Sequence, residues 1–242
     1  MRQFKDNMFR GLLWGSAFVS VAVLVVIVGY IFYKGFSYIS FDFIFGDYSP
    51  TGGGGIFPMI VTTILTIVIS LFIATPIGIL AAVYLHEYAK QGRLVRIIRY
   101  ATESLTGIPS IIYGLFGAVF FVAILKLGMS IIAASLTLTI IVLPVIIRTT
   151  EEALKTVPAT YREGSLALGT TKLQTLIKVI LPSAMPGILS GIILSIGRIV
   201  GESAAIFLTA GTVAAMPSSI FSSARTLTVH SYLVTQEAGD IG

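Results

Sequence analysis

The chain has 242 residues, of which 55% are apolar and only 11% are charged. Soluble domains carry roughly 25% charged residues, so this composition excludes an ordinary soluble protein. The chain has no cysteine, which excludes disulfides, thiolate metal sites and cysteine nucleophiles.

Long apolar runs recur along the chain, and each is about as long as a helix that crosses a lipid bilayer. Five spanning helices are predicted, at residues 11–33, 57–85, 104–125, 129–147 and 184–210. No connection between them is long enough for a soluble domain, so residues 1–242 are predicted to form a single transmembrane domain. The predicted fold class is therefore an all-α integral membrane bundle.

The cationic residues of the connecting segments lie almost all on one side of the predicted membrane. That side holds Arg2, Lys5, Arg10, Lys90, Arg93, Arg96, Arg99, Arg148, Lys155, Arg162, Lys172 and Lys178. The other side holds only Lys34, Lys126 and Arg225. Because short cytoplasmic loops carry the excess of Lys and Arg, the N-terminus is predicted to be cytoplasmic. This asymmetry accounts for the formal net charge of +5 without a nucleic-acid partner.

The outer loop before the second span ends in TGGGGIFP, residues 51–58. Four glycines are typical of phosphate-binding loops, but a nucleotide-binding loop needs Gly-Lys-Ser/Thr at the start of a helix. The dipeptide Gly-Lys occurs nowhere in the chain. The loop is therefore interpreted as a flexible external turn, and the chain is not expected to hydrolyse ATP.

The third span carries a proline near its start, within ESLTGIPSIIYGLFG, residues 103–117. Pro109 donates no backbone hydrogen bond and biases Ile108 away from the helical conformation. We therefore expect the span to begin at Pro109 or to be broken there, with neighbouring helices or a cavity satisfying the freed backbone groups. The three glycines of this stretch are expected either to pack against other helices or to line a pathway.

The fifth span has two faces of small residues. Gly187, Gly191 and Ser195 recur every fourth residue on one face, and Gly197 and Gly201 do so on another. Small residues let helices approach closely in a membrane. The span is therefore predicted to lie inside a bundle rather than against lipid.

Residues 148–182 connect the fourth and fifth spans and are polar enough to lie outside the membrane. Pro158 divides the segment, and Gly169 is expected to end a helix over residues 159–168 in a left-handed cap. A threonine after the glycine can cap the next helix. The apolar residues of that next helix fall on one face, so it is predicted to lie at the membrane surface and to stop at Pro182.

The same segment carries an ordered set of residues with the spacing E-A-A-x3-G-x9-I-x-L-P, starting at Glu163. Gly164 and Ser165 replace the paired alanines, and Val179 replaces the isoleucine. The pattern resembles the cytoplasmic signature of permease subunits of ATP-driven importers. The resemblance implies a coupling helix within residues 148–182 that docks on an ATP-binding subunit. The coupling residues that it implies are Glu163, Gly164, Ser165, Gly169, Leu181 and Pro182.

Four further stretches together resemble the PstA family of phosphate transport permeases. They are GGIFPMIVTTI, GIPSIIYGLFG, VLPVIIRTTEEALKTVP and GRIVGESAAIFLTAG, and they place the permease core at about residues 54–211. The forms IIRTTEEAL and LTAG favour this family over its sister permease, PstC. The resemblance implies the bundle of a type I ABC importer permease in the plasma (inner) membrane of a bacterium or archaeon. Its implied function is to form half of an alternating-access pathway for inorganic phosphate.

The resemblance also implies partners. They are a second, PstC-like permease subunit, a dimer of ATP-binding subunits and an extracytoplasmic phosphate-binding protein. ATP and Mg²⁺ are expected in the partner ATPase, and no cofactor is expected in this chain. Such permeases usually finish with one more spanning helix, so we expect a sixth helix that is missing from this sequence.

Arg198 and Glu202 are the only charged residues well within a predicted span. Arg198 lies twelve residues beyond Pro186, about 18 Å along a helix and so near the middle of a core about 30 Å thick. A charge at that depth needs a partner, and Glu202, four residues on, can supply it as a structural ion pair. Alternatively, Arg198 meets phosphate in transit, and Glu202 keeps the empty site from binding anions tightly. The importer resemblance favours this role in the substrate pathway, because similar permeases carry the pair as RxxGE.

Other functions stay open at this point. A permease for sulfate or molybdate would use the same fold, since selectivity in such systems enters largely through the binding protein. A secondary transporter with Glu202 as proton carrier would need no coupling loop. An integral membrane enzyme finds no support, because the only histidines, His86 and His230, lie on opposite sides of the predicted membrane and no nucleophile has a base beside it.

Overall fold

The computed structural model describes residues 2–49, 54–90 and 92–239, with side chains described between Asn7 and Glu237. These residues form helices and loops, and no strand occurs among them. The all-α prediction is therefore confirmed. Two of the four glycines of TGGGGIFP, Gly52 and Gly53, lie outside the described residues.

The chain divides into two compact units, Met1–Ile56 and Phe57–Gly242. The first unit contains α1 (Arg2–Gly35), a 3₁₀ turn (Phe36–Tyr38) and α2 (Phe41–Phe45). The stretch Asn7–Tyr38 is long and apolar enough to cross a membrane, as predicted for the first span. Its described side chains are almost all exposed, and most of them are apolar, as in a helix that faces lipid.

The second unit holds the remaining helices. They are α3 (Phe57–Val83), α4 (Arg93–Thr106), α5 (Ser110–Gly117), α6 (Ile131–Thr156), α7 (Ala159–Ala167), α8 (Lys172–Thr175), α9 (Leu181–Val200), α10 (Ala204–Thr209) and α11 (Leu227–Gly239). Three π-helical segments extend them, Tyr84–Tyr88 after α3, Ala118–Ile124 after α5 and Leu176–Ile180 between α8 and α9. The stretches Phe57–Tyr88, Ile131–Thr156 and Lys172–Val200 are each long and apolar enough to span a membrane, and α4 with α5 forms a bent fifth candidate.

The helices α3, α6 and α9 pack together at the centre of this unit. Small residues permit the close approach: a Cβ added at Gly187 would lie 2.6 Å from Cβ of Ala153, and one added at Gly191 would overlap Thr149. This face of the fifth span therefore packs inside the bundle, as predicted. The second small-residue face is different, because a Cβ at Gly197 would meet nothing within 4 Å.

The third span is broken at its proline. Pro109 immediately precedes α5, and the axes of α4 and α5 differ by 98°, so the expected break at this position is confirmed. Close packing of α5 also holds, because a Cβ at Gly114 would lie 2.8 Å from Cα of Ala205. Residues 104–106, however, belong to α4 rather than to the span.

The predicted limits of the fifth span, 184–210, are wrong at both ends. Helical structure is continuous from Lys172 to Val200 and stops at Gly201, so Pro182 does not end the amphipathic helix. In the π-helical segment before it, each N–H bonds to the fifth preceding carbonyl, and the N–H of Leu181 donates to the carbonyl of Leu176. The hydrogen-bond register shifts there, and the missing N–H of Pro182 falls in the first turn of α9, where it is tolerated.

Candidate functional site

The segment between α6 and α9 forms a compact turn of two short helices, α7 and α8, which we call the elbow (residues 159–175). Gly169 has φ of +82° and its N–H donates to the carbonyl of Leu166 at 2.9 Å, so the predicted left-handed cap is confirmed. Thr171 then caps α8: its hydroxyl accepts from the N–H of Gln174 at 3.2 Å, and Oε1 of Gln174 accepts from the N–H of Thr171 at 3.0 Å. This reciprocal capping fixes where the second helix starts.

Three hydroxyl groups lock the two arms of the elbow together. The oxygens of Ser165 and Thr170 are 2.8 Å apart, those of Thr170 and Thr175 2.8 Å, and those of Ser165 and Thr175 3.0 Å. Thr170 also donates to the carbonyl of Ser165 at 2.8 Å. Ser165, predicted as a docking residue, therefore has an internal role: it sets the angle between α7 and α8.

The outer surface of the elbow carries exposed side chains that nothing in the described chain covers. Leu168 is 87% exposed, and Tyr161 and Leu173 are each more than half exposed. If the elbow lies outside the membrane, as the sequence predicts, such grouped apolar side chains are typical of a protein interface.

The other coupling residues predicted from the sequence divide between this surface and the interior. Glu163, Gly164 and Gly169 are exposed on the elbow, and Pro182 is exposed beyond it. Leu181 is half-buried and packs against the cluster of apolar residues formed by α3, α6 and α9. Glu163, Gly164 and Gly169 therefore lie on the elbow surface, whereas Leu181 joins the elbow to the bundle.

Glu87, at the end of the second span, ties that span to both arms of the elbow. Its side chain is only 4% exposed and forms an ion pair with Arg162 of α7. Lys172 of α8 donates to the backbone carbonyl of Glu87 at 2.6 Å, and its ammonium lies 4.6 Å from the ring centre of Tyr88. Separating the buried carboxylate of Glu87 from its cationic partner would be costly. A displacement of the elbow is therefore expected to move the end of the second span with it.

A second ionic tie lies beside the first, where α4 meets α6. Arg99 donates from Nε to Oε1 of Glu151 at 3.1 Å, and its Nη2 lies 3.0 Å from the same oxygen. Nη2 also donates to the carbonyl of Leu85 at 3.4 Å. Glu151 is buried, so this pair holds α4 at the level of the ends of α3 and α6 and borders a cavity of about 150 Å³.

Arg198 lies about half-way along the length of the bundle. The next residue, Ile199, packs in a buried cluster with Tyr113 and Ile141. Ile141 is ten residues into α6, about 15 Å along the helix, which is half-way through a core about 30 Å thick. Arg198 is half-buried, and among the described residues no acidic side chain lies within ion-pair distance of it.

The predicted ion pair between Arg198 and Glu202 is not formed. The helix ends at Val200, and Glu202 lies in the turn before α10, where its Oε1 accepts from the N–H of Ala205 at 3.2 Å. Glu202 is 9% exposed. The spacing of four residues brings side chains together only while the helix continues, and here it stops between them. Glu202 therefore caps α10, and the guanidinium of Arg198 is left for another partner.

Sequence reasoning missed Glu87 and the pair of Arg99 with Glu151. A signal for both was present, since each acid lies three residues from a cation, Glu87 from Lys90 and Glu151 from Arg148, in segments predicted to lie at the cation-rich side. What the sequence could not supply was the distance, because Glu87 and Arg162 are 75 residues apart.

The sequences similar to this chain are those of components of membrane transport systems. Residues 74–235 match the family model described as "Binding-protein-dependent transport system inner membrane component". The chain is 36% identical to "Probable ABC transporter permease protein YqgI" of Bacillus subtilis, over 98% of this chain and 85% of the relative. It is 33% identical to "Phosphate transport system permease protein PstA" of Mycobacterium leprae (91% and 74%), and 35% identical to the protein of that name in Pasteurella multocida (86% and 75%).

A solved structure shares the fold. An inward-facing form of the MetNI methionine ABC transporter superposes with a TM-score of 0.52 at 25% identity, covering 77% of this chain and 91% of the matched chain. This likeness extends over most of the chain and agrees with the all-α bundle described above.

Proposed function

The chain belongs to the family of binding-protein-dependent transport system inner membrane components, and from that premise we propose that it imports inorganic phosphate. As a member of this family it is a multi-pass permease subunit of an ABC importer, and it is not an enzyme. Such importers work with an ATPase and a substrate-binding protein. The proposed substrate is supported by relatives named as phosphate transport permeases, at 33–40% identity.

The phosphate proposal rests on the guanidinium of Arg198, which has no acidic partner among the described residues. It is half-buried at mid-depth, where a charge costs at least about 2.5–3.5 kcal/mol. A planar fork of N–H donors matches a tetrahedral oxyanion. In our proposal Arg198 meets phosphate in the open pathway, and Glu202 shapes that pathway by holding α10.

The proposed coupling runs through the elbow. An ATP-binding subunit, which binds ATP and Mg²⁺, docks on the surface that carries Glu163, Gly164 and Gly169. Nucleotide binding moves the elbow as one body, because its hydroxyl cluster and caps keep its two arms at a fixed angle. Glu87 passes the movement to the second span through Arg162, and Leu181 passes it to α9.

The remaining assignments are also proposals. A second, PstC-like permease completes the pathway, a dimer of ATP-binding subunits drives it, and an extracytoplasmic phosphate-binding protein delivers the substrate. The N-terminus and the elbow are cytoplasmic, since both belong to the cation-rich side. Residues 54–211 supply the permease core of a single transmembrane domain.

The ATPase activity of the assembled importer tests this function. The chain is purified with the second permease and the ATP-binding subunits, and turnover is measured with binding protein loaded with phosphate, sulfate or molybdate. We expect stimulation by the phosphate-loaded protein only. Equal or greater stimulation by a sulfate- or molybdate-loaded protein would transfer the assignment to that oxyanion, and no stimulation by any of them would contradict an importer role.

A further inference from the structure

The helix α4 lies across the direction of the spanning helices. Its neighbour α5 packs against α6 and α10, since a Cβ added at Gly117 would meet Thr137 of α6 and one added at Gly114 would meet Ala205 of α10. If α5 crosses the membrane with the bundle, the 98° bend between α4 and α5 turns α4 towards the plane of the membrane. Arg99 fixes its height at the ends of α3 and α6 through Glu151 and Leu85.

The side chains of α4 fall on three faces, as its helical periodicity requires. The face toward the bundle is buried or half-buried and holds Val95, Arg99, Thr102 and Thr106. A second face is apolar and exposed, and it holds Leu94, Ile97, Ile98, Ala101 and Leu105. The third face is polar and exposed, and it holds Arg93, Arg96, Tyr100, Glu103 and Ser104.

The charge on the polar face is effectively cationic. Glu103 is matched by Arg148 of α6, with 3.3 Å between the guanidinium and the carboxylate. Arg93 and Arg96 have no ion pair among the described residues, and exposed Lys90 precedes the helix. Two to three cations therefore border an apolar face on a helix that lies in the membrane plane.

We infer that α4 is an interfacial helix that binds anionic phospholipid headgroups through Arg93 and Arg96. The apolar face enters the acyl region beside the bundle, and the two guanidinium groups reach the phosphates at the surface. A helix with one apolar face and cations on its polar face binds the membrane interface in this way. Each cation near an anionic surface adds about 1 kcal/mol, so the helix should concentrate anionic over zwitterionic lipid. The inference does not depend on which substrate the importer carries.

The absence of cysteine from the chain makes a site-specific test direct. The variant Ala101→Cys places one fluorescent label on the exposed apolar face of α4, and the assembled importer is put into nanodiscs of equal phosphatidylglycerol and phosphatidylcholine. The same nitroxide quencher is attached to one lipid or the other. We expect stronger quenching by labelled phosphatidylglycerol, with an apparent preference of about fivefold or more.

Charge variants separate lipid binding from packing. In the labelled background, Arg93→Gln with Arg96→Gln should bring the preference close to one, whereas Arg93→Lys with Arg96→Lys should keep most of it. The matched control, Lys34→Gln with Lys126→Gln, removes two cations from the other predicted side and should leave it unchanged. Equal quenching by both lipids in the parent, quenching by neither, or a preference that survives the double Gln variant would overturn the inference. A double Gln variant that loses its ATP-binding subunits while keeping the lipid preference would also overturn it and assign the face to that protein.

Discussion

The partner of Arg198 depends on where the helix that carries it ends. On the sequence it has an acidic neighbour at the ideal helical spacing. In the structure the helix ends at Val200 and Glu202 turns away to hold Ala205. The helical ion pair is therefore absent, which agrees with our proposal that a passing anion is the partner of this half-buried charge.

The substitution Arg198→Lys tests that partnership. Lysine keeps the positive charge but loses the planar fork that can donate two hydrogen bonds to one oxyanion. If one charge-assisted hydrogen bond of about 1.5–3 kcal/mol is lost, phosphate uptake should fall about tenfold or more. Assembly and basal ATP hydrolysis should stay within about twofold of the parent, because no described acidic side chain forms an ion pair with the guanidinium. Near-normal uptake by a fully assembled Arg198→Lys importer would leave Arg198 with a structural role only.

The ion pair of Glu87 and Arg162 offers a second test at this scale. Each of Glu87→Gln and Arg162→Gln should weaken the coupling between ATP hydrolysis and transport, because the movement of the elbow is no longer passed to the second span. Residues in direct contact act non-additively, so the double variant should be little worse than the worse single variant. The measurement is phosphate transported per ATP hydrolysed.

The matched control for this pair is Glu152→Gln, which removes an exposed carboxylate paired with Lys155 on the surface of α6. Exposed ion pairs contribute little, about 0–1 kcal/mol, so coupling should be normal in this variant. Fully additive losses in the double variant of Glu87 and Arg162 would show that the two residues act separately.

Among the elements, the elbow depends on the backbone conformation of one residue. Gly169 has positive φ and open space around its Cα, since an added Cβ would meet nothing within 4 Å. A substitution here therefore acts through backbone strain and not through a clash. This separation makes Gly169 a clean probe of elbow geometry.

The series Gly169→Asn and Gly169→Val should separate strain from size. Asparagine tolerates the left-handed conformation, whereas a β-branched residue there costs on the order of 1–2 kcal/mol. We expect Gly169→Asn to couple nearly normally and Gly169→Val to hydrolyse ATP without transport, or to lose its ATP-binding subunits, with membrane insertion intact in both. Equal behaviour of the two variants, measured by co-purification and by phosphate-stimulated ATPase activity, would show that the cap does not govern coupling.

Local rules predicted the elements well where the cause was local. Gly169 and Thr171 end and start their helices through their own backbone and side-chain chemistry, and Pro109 starts α5 for the same reason. The same rules failed at Pro182, because a π-helical segment before it shifts the hydrogen-bond register. They were not applied at residues 201–203, where Gly201 follows the last residue of α9 and glycine is a common helix terminator. Thr228 of α11 donates to the carbonyl of Val200 there. The ion pairs of Glu87 and Glu151 could not be predicted by local rules, because each joins residues that are far apart in the chain.

At the scale of the whole molecule, the structure leaves surfaces that fit a subunit of a larger assembly. Gly197 meets no neighbour in the described chain, although the sequence marks its face for close helix packing. Large apolar side chains on the same helix, including Leu189, Ile193 and Leu194, are at least half exposed. In our account this side of α9 faces the second permease, and the pathway beside Arg198 is closed by that partner.

Membrane topology can be tested on the intact cell. The exposed residue Tyr161, on the elbow, and Ala215, in the loop between α10 and α11, lie at opposite ends of the bundle, since that loop bonds to the first turn of α6. Tyr161→Cys should be protected from an impermeant thiol reagent until the membrane is opened, and Ala215→Cys should react from outside. An N-terminal tag should be accessible only from the cytoplasm. The reverse pattern would contradict the orientation and the docking of a cytoplasmic ATPase on the elbow.

Uptake into sealed vesicles tests whether this permease moves phosphate inward at the expense of ATP. The importer is assembled from this chain, the second permease and the ATP-binding subunits, with ATP enclosed and the loaded binding protein outside. We predict accumulation of labelled phosphate that requires enclosed ATP and is not reduced by excess sulfate or molybdate. Accumulation that persists without ATP, or that occurs with another oxyanion in place of phosphate, would contradict the account.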